Sequence, residues 1–100
     1  MLTITSQHKI YVACRSFDFR TGIDGFVAIC RKHFNLDPLK GYCFIFSNKA
    51  HTAIKILLYD HGGFWLCHKR LSKGRFRQWP THSTDAIKID SCVLNRLLSQ

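Results

Sequence analysis

Two strand-like segments on either side of a glycine pair constrain the fold of this chain more than any other feature. Ile54–Tyr59 and Phe64–Leu71 are rich in aliphatic and aromatic residues and alternate with a period of two, as strands do. His61-Gly62-Gly63 separates them, and glycine provides the positive φ that a tight hairpin turn requires. The stretch Ile54–Pro80 therefore predicts a β-hairpin followed by an arm.

A three-residue turn fixes the expected register of this hairpin. One face is then predicted to combine aromatic and basic side chains. The predicted pairs are Tyr59 with Trp65, Leu57 with Cys67, Lys55 with Lys69, Leu58 with Leu66 and Ile56 with His68.

The hairpin and arm are strongly basic, with no acidic residue from Phe64 to Thr84. The whole chain has 15 Lys and Arg against 6 Asp, a net charge of +9 and a pI near 9.7, which favours anionic partners. Basic side chains interleaved with rings suit a phosphate backbone and its bases, whereas the alternative is a solvated edge strand protected by its charges. The candidate nucleic-acid contacts are Lys55, Lys69, Arg70, Lys73, Arg75, Arg77 and Trp79.

Length and composition predict one domain spanning residues 1–100, with residues 1–7 frayed. We see no apolar run of signal-peptide or membrane-spanning length, so we expect a cytoplasmic protein that does not enter a membrane. Five cysteines without close pairs predict reduced, mostly buried thiols in a reducing compartment. They are Cys14, Cys30, Cys43, Cys67 and Cys92.

The spacing of apolar residues outside the hairpin predicts three further segments of regular structure before it and two after it. Gly25 inside the first helix indicates close packing against a sheet. We therefore expect an α+β fold, in which a small antiparallel-rich sheet carries its helices on one face. Before the hairpin, the segments are a strand at Lys9–Ala13, a helix capped by Thr21 with apolar residues from Ile23 to Phe34, and, after a loop at Asn35–Gly41, a central strand at Tyr42–Ser47. After the hairpin, they are a strand at Ala86–Ile89 and a last helix capped by Asp90 or Ser91 with a stripe of Val93, Leu94, Leu97 and Leu98.

Metal and catalytic sites are poorly supported by the residues. His61, Cys67 and His68 are candidate zinc ligands, but adjacent strand residues point to opposite faces and cannot easily share one ion. The same geometry argues against a Cys–His nucleophile pair. The chain has no Glu, and Asp24 and Asp90 are readily explained as helix-cap residues, so a metal-dependent nuclease is not expected. We predict no enzyme, no cofactor and no metal.

One segment approaches the signature of an RNA-recognition module. Lys40–Phe46 resembles its longer strand motif, and Ile10-Tyr11-Val12 resembles its shorter one. The chain between them has room for one helix but for no convincing strand, which counts against the module's topology. An RNA-binding sheet therefore remains an alternative prediction.

Short motifs occur in order across Lys9–Leu98, and they include Asp18, Arg20, Gly22, Asp24, Gly25, Asp60, Gly63, Gly74, Phe76 and Pro80. This ordered series resembles the small accessory transposition protein of the bacterial insertion-sequence-66 family. This is the TnpB-type accessory protein, which is unrelated to the RNA-guided nuclease of the same name. The resemblance implies a role beside a separate transposase that supplies the chemistry.

These observations together predict a non-catalytic accessory factor for transposition. We expect it to bind DNA, the transposase, or both, through the basic hairpin and arm. The competing prediction is a protein-interaction adaptor that docks an acidic partner and does not contact DNA. Asp18, Arg20 and Asp24 are interpreted as an ion pair and cap that hold the loop before the first helix.

Overall fold

The computed structural model describes residues 8–99, which form five strands, two α-helices and a short 3₁₀ helix. The predicted α+β class and antiparallel-rich sheet are confirmed, as are a helix after the first strand and a C-terminal helix. The elements are β1 (Ile10–Ala13), α1 (Ile23–Lys32), the 3₁₀ helix (Pro38–Lys40), β2 (Cys43–Ser47), β3 (Ala53–Asp60), β4 (Gly63–Arg70), β5 (Ala86–Ile89) and α2 (Ser91–Leu98).

The strands form one sheet in the order β4-β3-β2-β1-β5. β1 and β2 are parallel neighbours, because α1 carries the chain back between them, as a parallel pair requires. β2, β3 and β4 follow as an antiparallel meander, and β5 adds antiparallel to the free side of β1. β4 and β5 are therefore the two edges of the sheet.

Both faces of the sheet are covered. All five residues of β2 are buried, as its apolar sequence predicted for a central strand. Its alternate residues enter two separate cores: Cys43 packs in the cluster that contains Leu94 of α2, and Phe44 packs in the cluster that contains Phe26 of α1. The two helices thus lie on opposite faces, not on the same face as expected, because a strand that is apolar on both sides needs cover on both sides.

The start of α1 differs from the prediction. Gly22, not Thr21, is the N-cap, and no side chain caps the first turn. Gly25 lacks a side chain for a local reason rather than for packing on the sheet, since a Cβ there would overlap the Cγ2 methyl of Thr21. At the second helix the expectation is confirmed, because Asp90 caps α2 by accepting a hydrogen bond from the Val93 N–H at 2.8 Å.

The hairpin is present, but its predicted register is wrong by one residue. Its turn contains two residues, His61 and Gly62, whose φ values of 45° and 85° are those of a type I′ turn. Asp60 therefore pairs with Gly63. The observed pairs include Tyr59 with Phe64, Leu58 with Trp65, Leu57 with Leu66, Ile56 with Cys67, Lys55 with His68 and Ile54 with Lys69.

The segment after β4 crosses the α2 face of the sheet to reach β5 at the opposite edge. We call residues 71–81 the arm. Phe76 and Trp79 anchor it in the core shared with α2, where they are 2% and 8% exposed. The Phe76 N–H also donates to the His51 carbonyl at 2.7 Å. Within residues 8–99, no helix is long and apolar enough to cross a membrane.

Candidate nucleic-acid interface

Lys55 is held inside the fold. Its side chain lies on the α1 face, where Nζ donates to the carbonyl oxygens of Phe19 at 2.8 Å and Thr21 at 3.4 Å. The ammonium also sits 5.2 Å from the centre of the Phe19 ring and 5.8 Å from that of Phe26, which is cation–π geometry. These contacts fasten the loop before α1 to the sheet. The prediction that Lys55 contacts nucleic acid is therefore not supported.

Lys69 and Arg70 are exposed at the end of the edge strand β4, but successive residues of a strand point to opposite faces. Cys67 packs in the α2 cluster, so Lys69 shares that face, and its Nζ lies 3.4 Å from the carbonyl oxygen of Leu98 at the end of α2. Arg70 follows Leu66 toward the α1 face. The two residues therefore mark one edge of the sheet rather than one surface.

Three basic residues of the arm are exposed. They are Lys73, Arg75 and Arg77. The two arginines flank buried Phe76, so the burial of one side chain between them holds both arginines at the surface. Within residues 8–99, no carboxylate lies within 4.0 Å of these three side chains or of Arg70. Their charges are thus available to an anionic partner.

Trp79 belongs to the core. Its Nε1 donates to the carbonyl oxygen of Ala13 at 2.9 Å, and its ring stacks on the His51 imidazole with centroids 5.7 Å apart. A ring that is only 8% exposed and hydrogen-bonded to β1 cannot stack on a base. The expectation that Trp79 contacts nucleic acid is corrected accordingly: this residue positions the arm.

Asp18 and Arg20 form the expected ion pair. Arg20 approaches both carboxylate oxygens of Asp18, with Nη2 at 2.7 Å from Oδ2, and the Arg20 N–H donates to Oδ1 at 2.9 Å. The side-chain hydrogen bond from Arg20 is the main cause that lowers the pKa of Asp18 from 3.8 to about 2. Asp24 lies exposed in the first turn of α1 and caps nothing, so its predicted cap role is wrong. The pair organises the loop that leads into α1.

Several of the other motif residues have structural explanations. Asp60 and Gly63 close the hairpin turn, and the Asp60 carboxylate accepts a hydrogen bond from Trp65 Nε1 at 2.8 Å. Gly74 turns the arm with a φ of 75°, a conformation that favours glycine. Pro80 follows buried Trp79 and is half-buried. Among the residues that the structure describes, the resemblance thus rests partly on groups that shape loops.

The candidate zinc ligands do not converge. Cys67 lies on the α2 face, whereas the His68 ring packs against Phe19 on the α1 face with centroids 5.8 Å apart. His61 is in the hairpin turn. No three His, Cys or Asp side chains within residues 8–99 form a group that could hold a metal ion.

The strands predicted to resemble an RNA-recognition module are adjacent, but they are parallel. Phe44 and Phe46 are fully buried beneath α1 and the loop before it, so they present no open face to stack on bases. The alternative of an RNA-binding sheet is therefore wrong for this geometry.

Sequence reasoning missed a recess beside the arm. It is a depression of about 390 Å³ in which Gln78 and Thr81 join Arg75 and Arg77, and His51 contributes from the turn before β3. His51 and Gln78 both have positive φ, 56° and 54°, which bend the chain at these points. Neither residue lies in a recognisable motif. The alternation of arginine with buried aromatic residues in the arm was the one available signal.

Comparison with known proteins finds a matching family model and similar proteins in one bacterium. Residues 8–100 match the family model described as IS66 Orf2 like protein. The chain is 31% identical over 99 residues to the uncharacterized protein y4hO of Sinorhizobium fredii, covering 99% of this chain and 85% of that protein. It is 34% identical over 68 residues to the uncharacterized protein y4jC of the same organism, covering 68% and 58% respectively. No solved structure matches.

Proposed function

Because the chain belongs to the family of IS66 Orf2-like proteins, which are accessory factors of transposition, we propose that it fulfils this role by binding DNA through its basic arm. In this proposal the chain performs no catalysis, and a separate transposase breaks and joins the DNA. The contact set is revised to the exposed arm residues Lys73, Arg75 and Arg77, together with Arg70 and Lys69 at the end of β4, where the arm begins.

The distribution of ion pairs is the observation that carries this proposal. Three arginines outside the arm have an aspartate within 4.0 Å: Arg15 with Asp85 at 3.8 Å, Arg20 with Asp18 at 2.7 Å, and Arg31 with Asp37 at 3.7 Å. Across residues 8–99, the basic residues of the arm have no such partner. Lys73, Arg75 and Arg77 therefore place three exposed cations without a carboxylate partner close together in a segment that Phe76 and Trp79 anchor, and this local positive charge favours attraction to a polyanion.

A salt titration of DNA affinity tests the proposal. Each arginine or lysine that contacts a phosphate releases about one condensed counterion, so the slope of log affinity against log salt should flatten by about one unit for each of Arg70, Lys73, Arg75 and Arg77 changed to alanine. The measurement is fluorescence anisotropy of a labelled duplex at several salt concentrations. Sequence preference should change little, since these are phosphate contacts.

Lys32→Ala and Lys40→Ala provide the matched control. Both residues are exposed cations at the end of α1 and in the 3₁₀ helix, away from the arm, and neither has an ion pair with a described residue. These variants should keep the wild-type slope. A quadruple alanine variant at Arg70, Lys73, Arg75 and Arg77 that remains folded and keeps the wild-type affinity and slope contradicts the proposal.

The second candidate is a protein adaptor that docks on the transposase. Trp65 favours this function, because it is 45% exposed on the edge strand β4, where a partner could reach both its ring and the free backbone groups of the strand. If the quadruple alanine variant binds DNA normally and loses only its association with the transposase, the adaptor function is correct. Loss of that association in Trp65→Ala alone, with unchanged DNA affinity, supports the same conclusion.

A further inference from the structure

The recess beside the arm has a lining suited to an anion. Its polar side chains are Arg75, Arg77, Gln78, Thr81 and His51, and no carboxylate is among them. The two guanidinium groups offer N–H donors in the planar arrangement that fits phosphate oxygens. The amide, the hydroxyl and the imidazole can each add a donor. A recess with these groups selects negative charge and hydrogen-bond acceptors.

The backbone around the recess is fixed before any ligand arrives. Phe76 and Trp79 bury their rings on either side of the Arg77–Gln78 segment, and Trp79 is hydrogen-bonded to Ala13. The His51 carbonyl accepts the Phe76 N–H at 2.7 Å. A site built on such anchors loses less conformational entropy on binding than a flexible basic tail does.

His51 supplies a second observation. Its Nδ1 is buried and has no hydrogen-bond partner among residues 8–99. Buried polar groups are normally paired, so this nitrogen is an unsatisfied group behind the recess, whereas the exposed residues that line the recess are Arg75, Arg77, Gln78 and Thr81. The His51 ring is kept in place by stacking on Trp79.

We propose that the recess lined by His51, Arg75, Arg77, Gln78 and Thr81 is a phosphate site that holds one phosphate group of a DNA strand. The proposal deepens the proposed function, on which it rests for the source of the phosphate. It separates the contact set into two parts: Arg75 and Arg77 bind a phosphate at a fixed point, while Arg70 and Lys73 provide attraction along the rest of the DNA strand.

The test uses Trp79 as its reporter. Trp65→Phe leaves Trp79 as the only tryptophan of the full-length chain, and its fluorescence is followed while inorganic phosphate is added at constant ionic strength, with chloride as the comparison anion. We expect a saturable change with phosphate and none with chloride. A response to phosphate that is linear, or that chloride reproduces, overturns the proposal and leaves an adventitious ion only.

Paired variants locate the response. Arg75→Gln with Arg77→Gln should weaken phosphate binding at least tenfold, whereas Lys32→Gln with Lys40→Gln removes the same charge elsewhere and should leave it unchanged. Equal weakening by the two pairs overturns the proposal. Arg75→Lys with Arg77→Lys retains the charge and should show an intermediate loss, which keeps the test valid if the glutamine pair unfolds.

Oligonucleotides then identify the source of the phosphate. If a strand with a 5′-phosphate displaces inorganic phosphate better than the same strand with a 5′-hydroxyl, the site takes a strand end; equal displacement assigns it to an internal phosphodiester. Failure of both strands to displace inorganic phosphate overturns the assignment to DNA.

Failure of this inference is distinguishable from failure of the proposed function. If DNA binding depends on the arm but phosphate causes no response at Trp79, the phosphate site in the recess is contradicted and the proposed function is supported. If phosphate causes a response but the protein has no affinity for duplex DNA, an anion site is supported and the proposed DNA-binding function is contradicted.

Discussion

Asp18 and Arg20 show how two exposed side chains can organise a loop. The carboxylate receives the Arg20 backbone N–H as well as its guanidinium, and the Asp18 carbonyl accepts the Thr21 N–H at 3.1 Å. These bonds form a tight turn whose carbonyls, at Phe19 and Thr21, face Lys55. The pair therefore acts on the position of α1 through the loop that precedes it.

The lowered pKa of Asp18 predicts a specific pH dependence. A carboxyl group whose pKa is about 2 when folded and 3.8 otherwise adds stability above pH 3.8, and this stability is lost as the pH falls toward 2. Arg20→Gln should thus lower the melting temperature at neutral pH, and the difference from wild type should shrink as the pH falls from 3.8 through 2. Carboxyl NMR should show the Asp18 midpoint rising toward 3.8 in Arg20→Gln and staying in place in Arg31→Gln; an unchanged midpoint in Arg20→Gln contradicts the assignment.

Individual side chains were the least predictable level of this structure. Strand alternation predicts the face of the sheet on which Lys55 lies. It does not predict that the loop before α1 places two carbonyl oxygens and an aromatic ring next to the Lys55 ammonium group. Trp79 looked like a stacking platform because it lies among arginines. Its partner Ala13 is far away along the chain, and no local pattern encodes such a contact.

The hairpin turn determines the register at the level of elements. Asp60 pairs with Gly63, so Gly62 must hold a φ of 85°, whereas Gly63 has ordinary strand geometry and open space around it. One glycine is required by backbone conformation and its neighbour is not. Alanine substitution at the two positions therefore distinguishes the cost of a strained turn conformation from the general effect of replacing a glycine.

Gly62→Ala should lower the free energy of unfolding by about 1 kcal/mol, because an L-residue is strained at that φ. Gly63→Ala is the matched control and should be neutral or slightly stabilising, since glycine weakens a strand. Urea denaturation monitored by circular dichroism measures both variants. Equal effects at the two positions would contradict the two-residue turn.

The sequence was most informative for elements whose patterns are local. The central strand, the hairpin strands and the capped C-terminal helix were all readable from periodicity and cap residues. Turn length was not, because His61-Gly62-Gly63 fits either a two-residue or a three-residue loop. The basic part of the candidate site was visible as composition, but the recess was not, since it depends on His51 meeting the arm across the sheet face.

At the scale of the whole molecule, one sheet separates two cores. Cys30 of α1 is buried in one core, and Cys43 of β2 is buried in the core shared with α2. Burial raises the pKa of both thiols to about 12, so neither is reactive while the fold is intact. Cys92 is exposed and serves as an internal reference.

Pulsed thiol labelling should reveal whether the two cores are one cooperative unit. β2 contributes side chains to both, so we expect Cys30 and Cys43 to become reactive together across a denaturant series. Mass spectrometry of labelled peptides makes the measurement, and Cys92 should react at every concentration. Labelling of Cys30 well before Cys43 would show instead that the α1 layer opens independently.

The position of β1 has a consequence for synthesis of the chain. β1 precedes the other described strands, yet it lies between β2 and β5, and β5 is the last of the described strands to be synthesised. At about 5–20 residues per second, several seconds pass in which β1 has a neighbour on one side only. During that time its open edge can pair with strands of other nascent chains. Pairing with β5 therefore closes the free edge of β1. Aggregation through this edge, and the need for chaperones that prevent it, should be greatest just before β5 emerges.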